Sequence, residues 1–290
     1  MTGRVATGRQ ALRRALDTRR RANATKFQPI CAFDVAERMG VEVIFCPEKT
    51  LGGMYNKNSH TILVPTHRPP GRQAFTCAHE LGHYLFGHGT RIDEIRELER
   101  DRENDPEERL ATAYAGHLLM PPWAVSEAFT RRSWNRAQPT PLQVYTVAGQ
   151  LGVGYETLIH HMLRVLCYIS PGRAQVLRKT TPKQIREALL GVDRTRHLVI
   201  ADRAWTEVAI DLQVGDMAIV PSGTRLEGTS VVVDGRHGFL GTLVRGGAPG
   251  ISRAESDDGS WSCFIRVSRR DYVGWSTYRH WEDPDVGGLI

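Results

Sequence analysis

The sequence predicts an α+β protein. A mostly helical N-terminal part holding a small β-hairpin or sheet comes first, then a helix-turn-helix-like segment, then a mainly β C-terminal domain. Three observations predict this order. Apolar residues recur at helical spacing between residues 72 and 169. Proline and glycine punctuate that stretch at Pro69-Pro70-Gly71 and Pro121-Pro122. After Ser170-Pro171-Gly172 short alternating runs take over. A chain of 290 residues, 41% hydrophobic and 24% charged, has material for one large domain or two with a real core.

The elements follow in chain order. Phe33 to Met39 reads as a short helix ended by Gly40, and VEVIFC alternates as a strand. GGMYNKNSHTILVP reads as a hairpin with arms Gly53–Asn56 and Thr61–Val64 around a polar turn. A helix is expected from about Arg72 to Gly87. The charged run RIDEIRELERDRENDPEERL follows, and Pro106 opens a helix to about Met120. Further helices are expected near Pro141–Leu151, Tyr155–Ile169 and Pro182–Leu190. The runs WTEVAIDL, MAIVP, TSVVVDG, FLGTLV and WSCFIRVS then predict an antiparallel β sandwich or small barrel. The expected divisions are a basic N-terminal arm over 1–26, a mostly helical domain over 27–135, the helix-turn-helix-like segment over 136–171 and the β domain over 172–290.

Charge is uneven. Residues 1–26 carry eight Lys and Arg against one Asp, a net of +7, so the remainder holds −1 of the total of +6. The expectation for this arm is a solvated, poorly ordered terminus, with electrostatic contact to nucleic acid as the rival. Five scattered cysteines without a CxxC pair suit a reducing cytoplasm. No run of 18 apolar residues predicts a membrane span, and the basic start lacks the apolar core of a signal peptide.

The chemistry lies in FTCAHELGHYLFGH, residues 75–88. His79, Glu80 and His83 form an H-E-x-x-H pattern, the zincin signature. On a helix, residues four apart share a face, so both imidazoles can reach one zinc ion. Glu80, about 100° round from His79, can take a proton from the water that zinc acidifies. Phe75, Ala78, Leu81 and Leu85 supply an apolar face, and Gly82, a poor helix residue, suggests close approach of another backbone. A catalytic zinc needs a third protein ligand. Position 89 is Gly, which excludes the three-histidine metzincin form. His88 sits about 140° from His83 if the helix continues. Candidates beyond the helix are Glu94, Glu97, Glu99, Glu103, Glu107 and Glu108.

The stretches PICAFDVAERMGVEV, GGMY…TILVP, RQAFTCAHELGHYLFGH and ERLATAYAGHLLMP together resemble the ImmA/IrrE family of metallopeptidases, over residues 29–121 strongly and through 170 weakly. The resemblance implies a zincin-like fold and hydrolysis of a peptide bond in a protein, a helix-turn-helix repressor being the expected substrate. It also implies Glu108 as the third ligand, twelve residues before Met120. The family's usual Asn at the next turn is Thr112 here, a departure that bears on a hydrogen bond to a ligand. Zn2+, or Mn2+ in its place, is the implied cofactor. The GGMY strand is expected to align an extended substrate by edge pairing. Tyr55, Tyr84, His88 and Tyr114 are the candidates for an oxyanion helper.

VAGQLGVGYETLIHHMLRVL has the shape of a helix-turn-helix, but offers only His160, His161 and Arg164 to a nucleic acid. A packing or substrate-docking role is expected, and DNA binding aided by the basic arm is the alternative. DYVGWSTYRHW is expected to pack on the core, and by family analogy the C-terminal domain senses or regulates.

Overall fold

The computed structural model describes residues 2–89, 91–94, 105–192, 195–237 and 241–281. The chain divides into two compact units, one of residues 1–179 and 273–277, the other of residues 180–272 and 278–290.

The first unit is α+β and mostly helical. It opens with α1 (Thr2–Arg21), α2 (Ala32–Arg38), β1 (Glu42–Cys46), β2 (Leu51–Asn56), β3 (Thr61–Pro65) and α3 (Pro70–Phe86). It continues through β4 (Arg91–Glu94), α4 (Pro106–Leu119), α5 (Pro122–Thr130), α6 (Pro141–Gln150), α7 (Tyr155–Arg164) and α8 (Pro171–Arg178). Proline stands at the first turn of α3, α4, α5, α6 and α8, where its missing N–H costs nothing. One sheet, in the order β13-β1-β3-β2-β4 with β13 the pair Gly274–Trp275, borders the helices; β1 and β3 run parallel and the other neighbours antiparallel.

Three expectations for this unit are corrected. The basic N-terminus is a docked helix rather than a solvated arm. Ala11, Ala15 and Thr18 are buried along one face of α1, and Arg19, 1% exposed, donates to the carbonyls of Thr25, Gln28 and Leu118. Small alanines let α1 lie close to α4, and three carbonyls satisfy the buried guanidinium. The helix read as Tyr155–Ile169 ends at Arg164; Cys167 takes a left-handed φ of 53°, which a helix cannot continue through. The GGMY strand is not an edge. It is β2, bonded to β3 on one side and β4 on the other, so it offers no free ladder for a substrate.

The unit also extends past the expected boundary at 171. Helix α8 belongs to it through the Tyr155 hydroxyl, which donates to Leu177 O at 2.9 Å, and through Arg173, which donates to Pro139 O. The pair Gly274–Trp275, β13, adds to β1 from near the C-terminus. Trp275, Tyr278 and Trp281 are 42%, 48% and 65% exposed, so the aromatic-rich tail is not packed as expected.

Among the described residues the second unit holds α9 (Pro182–Leu190) and eight strands: β5 (Leu198–Ile200), β6 (Ile210–Gln213), β7 (Met217–Val220), β8 (Thr224–Glu227), β9 (Val231–His237), β10 (Gly241–Gly246), β11 (Gly250–Ser256) and β12 (Ser262–Ser268). They form two sheets, β5-β7-β10-β9 and β6-β12-β11-β8. Val199, Val220, Val231 and Val244 from one sheet and Ile210, Leu212, Ile265 and Val267 from the other share a core with Trp205 and Trp261. The pairs β5–β7 and β6–β12 are parallel, so the expected antiparallel sandwich or small barrel is corrected to two mixed sheets. Among the described residues no helix is long and apolar enough to cross a membrane.

Candidate metal centre

Helix α3 carries the two histidines. Its first-turn Pro70 starts it and Gly87, left-handed at φ 73°, stops it. The face bearing His79, Glu80 and His83 is buried, at 4%, 1% and 1% exposure. Helix α4 starts where Asp105 accepts a hydrogen bond from Glu107 N at 2.8 Å, which sets Glu108 in the first turn. The two helices meet at Gly82. A Cβ there would lie 3.1 Å from Ala111 Cα and 3.0 Å from Tyr114 Cδ1, so the absence of a side chain permits the approach expected of that glycine.

The approach brings three side chains together. His79 Nε2 and His83 Nε2 are 3.0 Å apart, and each lies 3.2 Å from an oxygen of Glu108, itself 5% exposed. Burial works against the Glu108 carboxylate, but His79 and His83, when protonated, outweigh it by hydrogen bonding and charge and hold its pKa well below the usual carboxylate range. Of the other candidate glutamates, Glu97, Glu99 and Glu103 lie outside the described residues, and Glu94 is on β4.

The far ring nitrogens are also engaged. Thr112 Oγ1 lies 3.3 Å from His79 Nδ1, one turn after Glu108. His88 Nδ1 lies 2.9 Å from His83 Nδ1. His88 reaches there because α3 stops: past Gly87 the chain turns back and His88 N donates to His83 O at 3.0 Å. His88 therefore meets the outer nitrogen of His83, on the side away from the cluster. With Nδ1–H of each histidine turned to Thr112 or His88, both Nε2 atoms keep their lone pairs and face the carboxylate.

Three acceptors converging at 3.0–3.2 Å repel one another unless a cation or proton lies among them. Ligand atoms about 2.0–2.1 Å from one tetrahedral ion stand roughly 3.3–3.4 Å apart, close to these separations. Two imidazoles and a carboxylate are also a donor set that divalent transition metals accept. The residues therefore fit a metal ion, and among the described residues this is the group of His, Cys, Asp and Glu side chains able to hold one.

Glu80 faces β2. A Cβ on Gly53 would lie 2.7 Å from Glu80 Oε1 and 2.5 Å from Thr76 Cγ2, so this glycine makes room for the carboxyl group. Sequence reasoning placed Gly53 in the hairpin without this role; the doubled glycine in a strand was its available signal. The oxyanion candidates separate. Tyr114 is fully buried, its hydroxyl donating to Thr18 Oγ1 at 3.1 Å under α1, and burial pushes its pKa up. It is a packing residue. Tyr55, 2% exposed on β2, stacks edge-on with Tyr84 at 5.6 Å between ring centres.

Residues 36–163 match the family model described as the IrrE N-terminal-like domain. Over 94 residues, 32% of this chain, the sequence is 34% identical to the radiation response metalloprotease IrrE of Deinococcus deserti, covering 34% of that protein. Over 94 residues it is 32% identical to the protein of the same name from Deinococcus radiodurans, covering 29% of it. The match thus spans about a third of these relatives' length. Among solved structures, a Mycobacterium tuberculosis transcriptional regulator aligns with 53% of this chain and 46% of that one, at 18% identity and a TM-score of 0.37, too slight a likeness to carry an argument.

Proposed function

We propose that this chain, whose residues 36–163 match the IrrE N-terminal-like family model, is a metallopeptidase of the ImmA/IrrE kind, a zinc-dependent endopeptidase that hydrolyses a peptide bond in a protein. The observation that carries this reading is the convergence of His79 Nε2, His83 Nε2 and both oxygens of Glu108 beside a buried Glu80. A divalent ion held there supplies a Lewis acid that polarises a carbonyl and acidifies a water. Three protein ligands are the number found in catalytic zinc sites, whereas structural zinc is closed by four. Glu80 then acts as general base. It takes the proton from the attacking water and passes it to the leaving amine. Thr112 and His88 hold the two imidazoles in the orientation that points Nε2 inward. Thr112 does this work where the family usually has Asn, because a hydroxyl can still accept from Nδ1–H. The family resemblance supports a helix-turn-helix repressor as substrate, and the donor set admits Mn2+ as well as Zn2+.

Glu80→Gln removes the base and leaves every ligand in place. Metal analysis of this variant should match wild type, while cleavage of a repressor encoded beside this chain's gene should fall by about 10²–10⁴-fold. Undiminished cleavage by Glu80→Gln overturns the mechanism.

A second reading, a DNA-binding regulator that keeps the metal domain as a sensor, is supported by α6 and α7 joined through Gly152 at φ 65°. Its charge is thin: Tyr155, Leu158, Ile159, His161 and Met162 of α7 are buried, and Arg19 of the basic helix is spent on carbonyls. Salt-dependent binding to a specific duplex, lost on metal removal, is the result that would favour it.

A further inference from the structure

Within the first unit a cleft of about 850 Å3 opens among α1, α4 and α7. His79, Glu80, His83 and Glu108 do not line it, so it is distinct from the metal centre, although Thr112 and Phe75 border it. Its volume lies in the range of small-molecule sites, roughly 300–1,000 Å3.

Two buried imidazoles form the floor. His161, 4% exposed, donates Nε2–H to Met120 O at 2.9 Å, and Gly116 leaves room for its ring. His117, 7% exposed, packs edge-on against His161 with ring centres 5.7 Å apart. The buried Nδ1 of His117 has no hydrogen-bond partner among the described residues. Burial lowers the pKa of both rings, that of His161 to about 3, so the floor offers hydrogen bonds without charge. A buried ring nitrogen without a partner is uncommon enough to need an explanation, and a bound group is one.

The mouth and walls differ from the floor. Arg9, Arg109 and Arg164 line the cleft and are exposed, and none pairs with a carboxylate among the described residues. Leu12, Phe75, Met120 and Val165 supply apolar wall, the last 45% exposed.

We propose that this cleft binds a small organic anion. Its apolar or aromatic body lies on the Leu12, Phe75, Met120 and Val165 walls. Its phosphate or carboxylate meets the arginine rim, and a hydrogen-bonding atom reaches His117 Nδ1. Guanidinium groups recognise phosphate and carboxylate by paired N–H donors. A nucleic-acid backbone or an acidic peptide would meet the arginines too, but neither fills a concave floor that asks for one uncharged hydrogen bond.

The test uses the full-length, metal-loaded chain and anilinonaphthalene sulfonate, a fluorescent probe with an aromatic body and one anionic group. Saturable binding of about one equivalent is expected, in the micromolar range of an ordinary pocket. AMP and decanoate are the competitors; displacement by one of them says whether the anion is a phosphate on an aromatic body or a carboxylate on an aliphatic one. Inorganic phosphate and duplex DNA at the same concentration should displace little. Arg164→Glu and Val165→Glu, exposed positions at the end of α7 and just past it, should each weaken probe binding at least about tenfold. Circular dichroism checks that each variant is folded, and either one suffices if the other is not. Unchanged probe affinity in a folded variant overturns the proposal. So does failure of both competitors, or displacement by phosphate alone or by DNA as readily as by either of them.

Discussion

Glu108 in the first unit and Asp211 in the second are both carboxylates held ionised by a neighbour, and the neighbours differ in kind. Asp211 takes a two-pronged bond from Arg266, Nε to Oδ1 at 2.6 Å and Nη2 to Oδ2 at 2.7 Å. Burial opposes its charge, and the Arg266 guanidinium overcomes that and lowers its pKa. That pair is complete in itself, because arginine is always charged and offers donors to match the oxygens. Glu108 instead faces two imidazole nitrogens, which are acceptors when neutral. A group of acceptors aimed at one point calls for a cation from outside; a donor matched to an acceptor does not. The contrast separates a site from a brace.

The largest expected break of this contrast is Glu108→Ala. It should lower Zn2+ affinity by more than about 100-fold in chelator competition, beyond the usual effect of losing an outer-shell partner. Asp211→Asn should leave metal content untouched. A metal-replete Glu108→Ala variant would remove the third ligand from the mechanism.

Next in size is a pH effect at a third carboxylate. Burial pushes Asp216, 3% exposed in the second unit, up to about 6 from 3.8. Its folded form holds a proton that the unfolded chain has released between pH 4 and 6, so stability should fall as pH rises through that window and level off above it. The expected loss is on the order of 1–3 kcal/mol by denaturant titration at several pH values. Asp216→Asn should flatten this part of the profile; an unchanged slope would show that another group titrates there.

Thr112→Val, which keeps shape but cannot accept from His79 Nδ1, should weaken Zn2+ binding about 10-fold. Thr112→Asn, restoring the residue usual in the family, should retain wild-type affinity. Equal affinity for all three would show that Thr112 does not orient His79. The smallest effect is the stability cost of Asp211→Asn. Asp211 is 38% exposed, so screening should limit the loss to about 1 kcal/mol or less by thermal melting.

Many of the helices were legible because their punctuation is local. The expected start of α4 at Pro106 and the span of α9 coincide with those observed, since a proline at the first turn marks a start from a few residues alone. The strands of the second unit were less legible. Strands β5, β8 and β11 were missed; β11 reads GISRAES, where small and polar residues hide the alternation that only its partners β8 and β12 reveal. The docking of α1 was hidden by composition, since eight Lys and Arg residues suggest solvent while the buried face carries alanines.

For the site, the sequence by itself determined the helix with His79, Glu80 and His83, since a spacing of four residues is a property of one helix. Resemblance added Glu108. Only the tertiary structure decided that Gly82 lets α4 approach, that Gly87 turns His88 back onto His83, that Gly53 opens space for Glu80 and that β4 closes the edge of β2. Each of these is a meeting of segments distant along the chain or reversed in direction. Helical spacing carries no information about such meetings, because it describes one element, and a close approach depends on the backbone of another.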